Sequence, residues 1–204
     1  MSIVLIRHGQ TDLNAARVLQ WPDTPLGERG RAQALALARR LSDARPAAIA
    51  CSDMARARQT AEPLAQAAGL PLIETPLLGE RNFGVLRGQR FDALGHDPIE
   101  DEAGAPEGES MPQFRQRVEQ AFVWVRALRE RAGGDLLVVT HGLVLREILT
   151  RHAALDAGVS VPARLANTSV SVIDARAPHR VRLLGCSRHL EGATSDDGGG
   201  VSGV

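Results

Sequence analysis

Ser2-Ile3-Val4-Leu5-Ile6-Arg7-His8-Gly9 sets an uninterrupted, largely β-branched apolar run against an abrupt stop of charge and glycine. A run apolar on both of its faces reads as a strand buried from two sides. Such a strand belongs to a sheet covered by helices above and below. The rest of the chain should therefore alternate strand with helix.

It does. A helix is predicted over residues 28–42, with Leu35, Ala38 and Leu41 on one face, then a strand over 47–51. Ser52 or Asp53 is placed to cap a helix running to Ala68, which Gly69-Leu70-Pro71 ends before a short strand at 72–74. Phe114, Val118, Ala121, Val125 and Leu128 recur at three- and four-residue spacing, predicting a helix over 114–131. Gly133-Gly134 stops it, and an all-apolar strand at 136–140 leads at once into a helix at 143–149. Late strands at 169–174 and 180–184 close the domain. The expected class is α/β, a three-layer α/β/α sandwich around a mostly parallel sheet. One domain is expected over residues 1–191, with the acidic, aperiodic stretch 92–111 a loop or lid. The Gly-rich end, 192–204, is expected to be disordered. No internal repeat is found.

The chain has 204 residues, room for one full core, and a formal net charge of +0. That balance argues against nucleic acid or an anionic membrane as partner, since either favours a basic face. All 24 basic residues are arginine and there is no lysine, which removes Schiff-base lysine chemistry and the phosphate-loop lysine. Codon bias toward Arg and Ala accounts for the skew. Its chemical consequence is that only the two-pronged guanidinium remains to hold phosphate oxygens. Cys51 and Cys186 form neither a metal-ligand pair nor a disulfide framework. With no basic leader and no membrane-length apolar run, a cytoplasmic protein is expected. No His-Glu-x-x-His run or acidic calcium loop calls for a metal. His96, His152 and His179 are scattered and expected on the surface.

In parallel α/β sheets, ligands sit beyond the carboxyl ends of the strands. Three strand ends then aim reactive groups at one place: Arg7-His8, Ser52 through Arg56, and Thr140-His141-Gly142. Two imidazoles and two guanidinia at helix starts suit a phosphoryl group. Taken singly, each has a plainer reading. A histidine at a strand end commonly caps or bonds, and Arg56 alone would be a surface charge.

The series taken together resembles a known family. Leu5-Ile6-Arg7-His8-Gly9-Gln10-Thr11 is similar to the signature of the histidine phosphatase superfamily, which includes the cofactor-dependent phosphoglycerate mutases. Asn14, Asp23-Thr24-Pro25-Leu26 with Gly27 and Gly30, and Gln33-Ala34 follow in the family's order. So do the stretch from Ser52 to Ala61, Leu78-Gly79-Glu80-Arg81-Asn82-Phe83-Gly84 with Gly88, and Glu107-Gly108-Glu109-Ser110. Val139-Thr140-His141-Gly142, Asn167-Thr168-Ser169 and His189-Leu190 complete it. Arg-His-Gly alone would be weak; an ordered series over nearly the whole chain is specific.

The resemblance implies a phosphoglycerate mutase-like fold and a phosphohistidine formed on His8. It implies that Arg7, Arg56 and His141 hold the phosphoryl oxygens, helped by Asn14 and the Gly142 amide, and that Glu80 protonates the leaving oxygen. Gln20 is a further pocket candidate. No metal or cofactor is implied, and the expected partner is a small phosphorylated metabolite. Nearby arginines, and a protonated His141, should keep His8 neutral. Burial and a bound dianion should raise Glu80. Arg58, Arg81, Arg87 and Arg90 are expected as solvated charges or substrate-edge contacts. Three outcomes follow: a phosphomonoester hydrolase, a 2,3-bisphosphoglycerate-dependent mutase, or a noncatalytic phosphate-binding module. The acidic, arginine-free stretch between Phe91 and Pro112 favours the hydrolase, since a mutase needs cations there for the substrate carboxylate. Survival of His8, Glu80 and the clamp counts against the noncatalytic module. Nothing in the sequence fixes the oligomeric state.

Overall fold

β1 (Ser2–Arg7) is buried from both sides because helices cover both faces of the sheet it centres. It pairs in parallel with β4 (Leu136–Thr140) and antiparallel with β5 (Val170–Asp174). β2 (Ala48–Ser52) runs parallel to β4 and to β3 (Leu72–Thr75), and β6 (Val181–Cys186) lies antiparallel to β5. The six strands are ordered β3-β2-β4-β1-β5-β6. The computed structural model describes residues 1–191; the segment 192–204, expected to be disordered, lies outside the described residues.

Period-two alternation sends the strand side chains into two cores. Ile3, Leu5, Ala50, Leu136 and Val138 meet Phe114, Val118 and Ala121 of α4 (Met111–Ala132) and Ile148 of α5 (Gly142–Arg151). Ile6, Ile49, Leu137 and Val139 meet Leu37 of α2 (Glu28–Arg40) and Ala57, Ala61 and Leu64 of α3 (Ala55–Ala68). This is the three-layer sandwich with a mostly parallel sheet. A four-residue α1 (Asp12–Ala15) follows β1 directly. Among the described residues no helix is long and apolar enough to cross a membrane.

Several expectations need correction. Leu35 is 52% exposed; α2 buries Gly30, Gln33, Ala34, Leu37 and Ala38 instead. The run Ala34-Leu35-Ala36-Leu37-Ala38 offers too little polar contrast to fix a face. Met54 is the residue that caps α3 and its own side chain makes no cap hydrogen bond; Ser52, within β2, accepts from the Met54 amide through Oγ at 3.2 Å. α4 starts three residues before Phe114, at a capping box formed by Ser110 and Gln113. His179 is buried rather than on the surface, its ring edge-on to Phe122 at 5.1 Å. His152 stacks on the same phenyl at 5.0 Å, and His96 is exposed.

Where β1 ends, the chain passes α2 at a separation only glycine permits. A Cβ on Gly9 would lie 2.7 Å from the Gly30 carbonyl oxygen, and one on Gly30 would collide with the Gln10 carbonyl. This packs the loop after His8 onto the start of α2, and the Gly9 amide donates to Thr60 Oγ1 on α3 at 2.9 Å.

Candidate active site

The parallel register aligns the strand ends. Arg7 pairs with Thr140 across β1 and β4, and the His8 amide donates to the Thr140 carbonyl at 2.9 Å, one residue beyond the ladder. His8 and His141 therefore emerge side by side, their rings 5.0 Å apart at 59°. Both are buried.

His8 Nδ1 lies 2.7 Å from the Gly9 carbonyl oxygen. A carbonyl only accepts, so this nitrogen carries the proton, and the lone pair is on Nε2. Burial, then Arg56, then Arg7 hold the His8 pKa well below its ordinary value. Burial leads here, with the cations second. His141 is likewise pushed down, by burial first and then by Arg56. It is therefore neutral, which corrects the expectation of a protonated His141. Its Nε2 shares a 2.9 Å hydrogen bond with Ser52 Oγ, and its buried Nδ1 has no hydrogen-bond partner among the described residues.

Arg56 is 2% exposed; it donates to the Trp21 carbonyl at 3.0 Å and approaches Met54 sulfur at 3.3 Å. Its Nε is buried without a hydrogen-bond partner among the described residues, and burial brings its pKa down to about 10. Arg7, equally buried, donates to the Leu165 carbonyl. Asn14 sits in the capping box of α1, its Oδ1 accepting from the Thr11 amide at 3.2 Å while its Nδ2 is buried and has no hydrogen-bond partner among the described residues. Gln20 is buried too, its Oε1 accepting from Thr11 Oγ1 at 2.7 Å.

Glu80 is 5% exposed. Its carboxyl accepts from the Leu143 amide at 3.2 Å and the Arg81 amide at 3.1 Å. The Leu143 amide belongs to the first turn of α5, beside Gly142, where the helix dipole is positive. Burial raises the Glu80 pKa, partly offset by these two amides and by Arg56 and Arg7. Two buried arginines, two neutral imidazoles and one carboxyl group inclined to keep its proton thus share one end of the sheet.

Arg81 is not a solvated charge, the first of its two expected roles. It is 2% exposed and donates to the carbonyls of Pro98 at 3.2 Å, Ile99 at 2.9 Å and Glu109 at 3.2 Å, and to that of Asp101. The guanidinium binds the excursion 92–111 from beneath, and Ile99 joins the core. Arg58 and Arg90 are the exposed charges expected, paired with Glu74 at 3.5 Å and Asp92 at 2.7 Å. Arg87 is half-buried on the same loop. Replacing Arg81 with methionine should lower stability by about 2–4 kcal/mol, because several buried carbonyls lose their donor at once. Urea melts check this. A loss below about 0.5 kcal/mol would mean that the excursion does not depend on Arg81.

Sequence reasoning missed Arg117. Its guanidinium grips both Glu109 oxygens at 2.7 Å and donates to the carbonyls of Leu77 at 2.9 Å, Gly79 at 2.7 Å and Glu80 at 3.2 Å. It thereby fixes the backbone that carries Glu80. Only the motif Glu107 to Ser110 hinted at it. Thr60, which holds the Gly9 amide, lies inside the motif stretch Ser52 to Ala61 but was assigned no role.

This geometry agrees with comparisons to known proteins. The family profile described as the histidine phosphatase superfamily (branch 1) matches residues 3–185. A probable phosphoglycerate mutase GpmB of Yersinia pestis is 36% identical over 186 residues, covering 85% of each chain. Among solved structures, phosphoglycerate mutase from Bacillus anthracis superposes with a TM-score of 0.78 at 26% identity, covering 94% of this chain and 95% of that one. The alpha-ribazole phosphatase of Shigella flexneri gives 0.76 at 28% identity, covering 92% and 97%. With its motifs in order, its strand ends converged and nearly its whole length matched, the chain belongs to the histidine phosphatase superfamily.

Proposed function

We propose that the chain hydrolyses a small phosphomonoester through a phosphohistidine on His8, in the cytoplasm and without a metal. The observation that carries this is the unprotonated Nε2 of a neutral, buried His8 beside two buried arginines. In the first half-reaction Nε2 attacks phosphorus and the bond to the leaving oxygen breaks. Arg7, Arg56, His141, Asn14 and the Gly142 amide hold the phosphoryl oxygens, with Gln20 at the pocket wall, while the Glu80 carboxyl gives its proton to the leaving oxygen. In the second, the Glu80 carboxylate takes a proton from water, the water oxygen attacks phosphorus, and the N–P bond breaks to release orthophosphate. Neutral His141 supports this as a hydrogen-bond donor rather than a cation. The positive pocket also disfavours a bound cation.

The domain is proposed to span 1–191, with 92–111 covering the site. Water as acceptor, rather than a second substrate oxygen, is supported by the fates of the nearby arginines. Arg81, next to Glu80 in the acid motif, is spent on backbone carbonyls. The mutase remains the second reading because curated relatives carry that name. Orthophosphate release from p-nitrophenyl phosphate in excess EDTA, with no 2,3-bisphosphoglycerate-primed isomerisation of 3-phosphoglycerate, is the expected result. Isomerisation outpacing hydrolysis would assign the mutase, and loss of turnover in EDTA would overturn metal independence.

A further inference from the structure

The turn before β5 grips the nucleophile from behind. The Arg7 amide donates to the Ser169 carbonyl at 3.2 Å, and the His8 carbonyl accepts twice, from the Thr168 amide at 3.3 Å and from Asn167 Nδ2 at 3.0 Å. The main chain that aims the His8 ring is therefore set by residues 166–169. Within that turn Thr168 is fully buried and has φ of 55°, in the left-handed region, which is unfavourable for a β-branched residue. Such a conformation persists only where surrounding contacts over-determine it.

Those contacts lead to His189. Thr168 Oγ1 spends its one proton on the Asn167 carbonyl at 2.7 Å, so towards His189 Nε2, at 2.9 Å, it must accept. His189 Nε2 therefore carries a proton. Its Nδ1 faces Arg40 at 3.0 Å, and a guanidinium can only donate, so Nδ1 is bare. The two neighbours fix the imidazole as one neutral tautomer. Arg40, the last residue of α2, is itself held by the Cys186 carbonyl at 3.0 Å and sulfur at 3.2 Å. The line from α2 through Arg40, His189 and Thr168 ends on the His8 carbonyl. Burial and the Arg40 charge bring the His189 pKa down to about 4, so the tautomer persists at neutral pH.

We infer that His189 is a positioning residue: through Thr168 it locks the strained turn that holds His8 in line for attack. The inference rests on His8 being the nucleophile. His189 touches none of the reacting groups, so its loss should appear in the chemical step and spare phosphate binding.

The test compares His189→Ala with His189→Gln, whose amide supplies both a donor for Thr168 and an acceptor for Arg40. With p-nitrophenyl phosphate, His189→Ala should lose about tenfold or more in kcat. Its inhibition constant for orthophosphate should stay within about threefold of the parent. His189→Gln should recover most of the lost kcat. Thr168→Ala should reproduce the loss and Thr168→Ser should not, a pair that decides the matter if His189→Ala does not fold. The inference is overturned if folded His189→Ala keeps kcat within about twofold, if Thr168→Ala does so where His189→Ala does not fold, or if Ala and Gln at 189 lose kcat equally. His8→Ala separates the two levels. If that variant is inactive while His189→Ala is fully active, positioning fails and the nucleophile stands; if His8→Ala is active, the underlying mechanism fails.

Discussion

His8→Ala should lower turnover of p-nitrophenyl phosphate by roughly 10⁴-fold or more while leaving the protein folded. The ring contributes a lone pair on a neutral buried nitrogen facing two guanidinia, whereas the neighbouring neutral His141 has its Nε2 engaged with Ser52. Without it, phosphate still meets Arg7 and Arg56, so orthophosphate should still protect the variant against thermal unfolding. What residual turnover there is would come from water attacking an ester held by the clamp. Melting the variant should reveal no collapse, because the two guanidinia keep their backbone partners, the Leu165 carbonyl for Arg7 and the Trp21 carbonyl for Arg56. A second measurement makes the test specific. Quenching the parent during turnover of a ³²P-labelled ester should trap acid-labile, alkali-stable label, and the variant should trap none. Turnover by His8→Ala within about tenfold of the parent would sink the phosphohistidine route.

How much of this could be read from residues alone depended on whether a feature had a period or a motif behind it. β1, β4 and β2 declare themselves as continuous apolar runs, and the parallel-sheet rule then brings their C-terminal residues together. That is why His8, His141 and Arg56 could be placed near one another before any coordinates. Arg81 and Arg87 show where such reading stops. They are six positions apart on one loop, yet Arg81 is buried under four carbonyls while Arg87 is half-exposed. The difference comes from where the aperiodic stretch 98–109 leaves its carbonyls, and no local pattern encodes that. Ser52 is a similar case. Its position before a helix suggests a cap, and its hydroxyl does accept from the Met54 amide at 3.2 Å, but its place in β2 also sets that hydroxyl 2.9 Å from His141 Nε2, which no local pattern foretells. The Leu35 error has another origin, since an alternating Ala–Leu run looks equally apolar from every side. For His8 the electrostatic direction was readable and its largest cause was not. Cations beside His8 were foreseen, but burial is the larger force lowering its pKa.

Glu80→Gln should separate the two half-reactions that one carboxyl group serves. For an alkyl phosphate the leaving alkoxide needs a proton, and the variant should lose about 10²–10⁴ in kcat/KM. For p-nitrophenyl phosphate the leaving phenolate is stable at neutral pH, so His8 should still be phosphorylated quickly. Water then lacks its base, and the phosphoenzyme should build up. The expected trace is a burst of about one p-nitrophenolate per active site followed by a slow steady state. The pH dependence has a definite sign. Burial raises the Glu80 pKa, so the proton-donating form persists above the ordinary glutamate range. Alkyl phosphate turnover should fall as pH rises through that raised value, whereas His8, with its lowered pKa, keeps its lone pair well below pH 6.5. The variant should lack the alkaline decline altogether, because glutamine does not titrate. Glutamine also sets an N–H against one of the two amides that now donate to the carboxyl, at a cost of about 1–3 kcal/mol. Its melting curve must therefore accompany the kinetics. A folded variant that hydrolyses alkyl phosphates at the parent rate, or shows no burst with the aryl ester, would remove Glu80 from the mechanism. The acid would then have to come from another group within reach of the leaving oxygen, and the buried His141, held neutral beside His8, is poorly suited to give up a proton there.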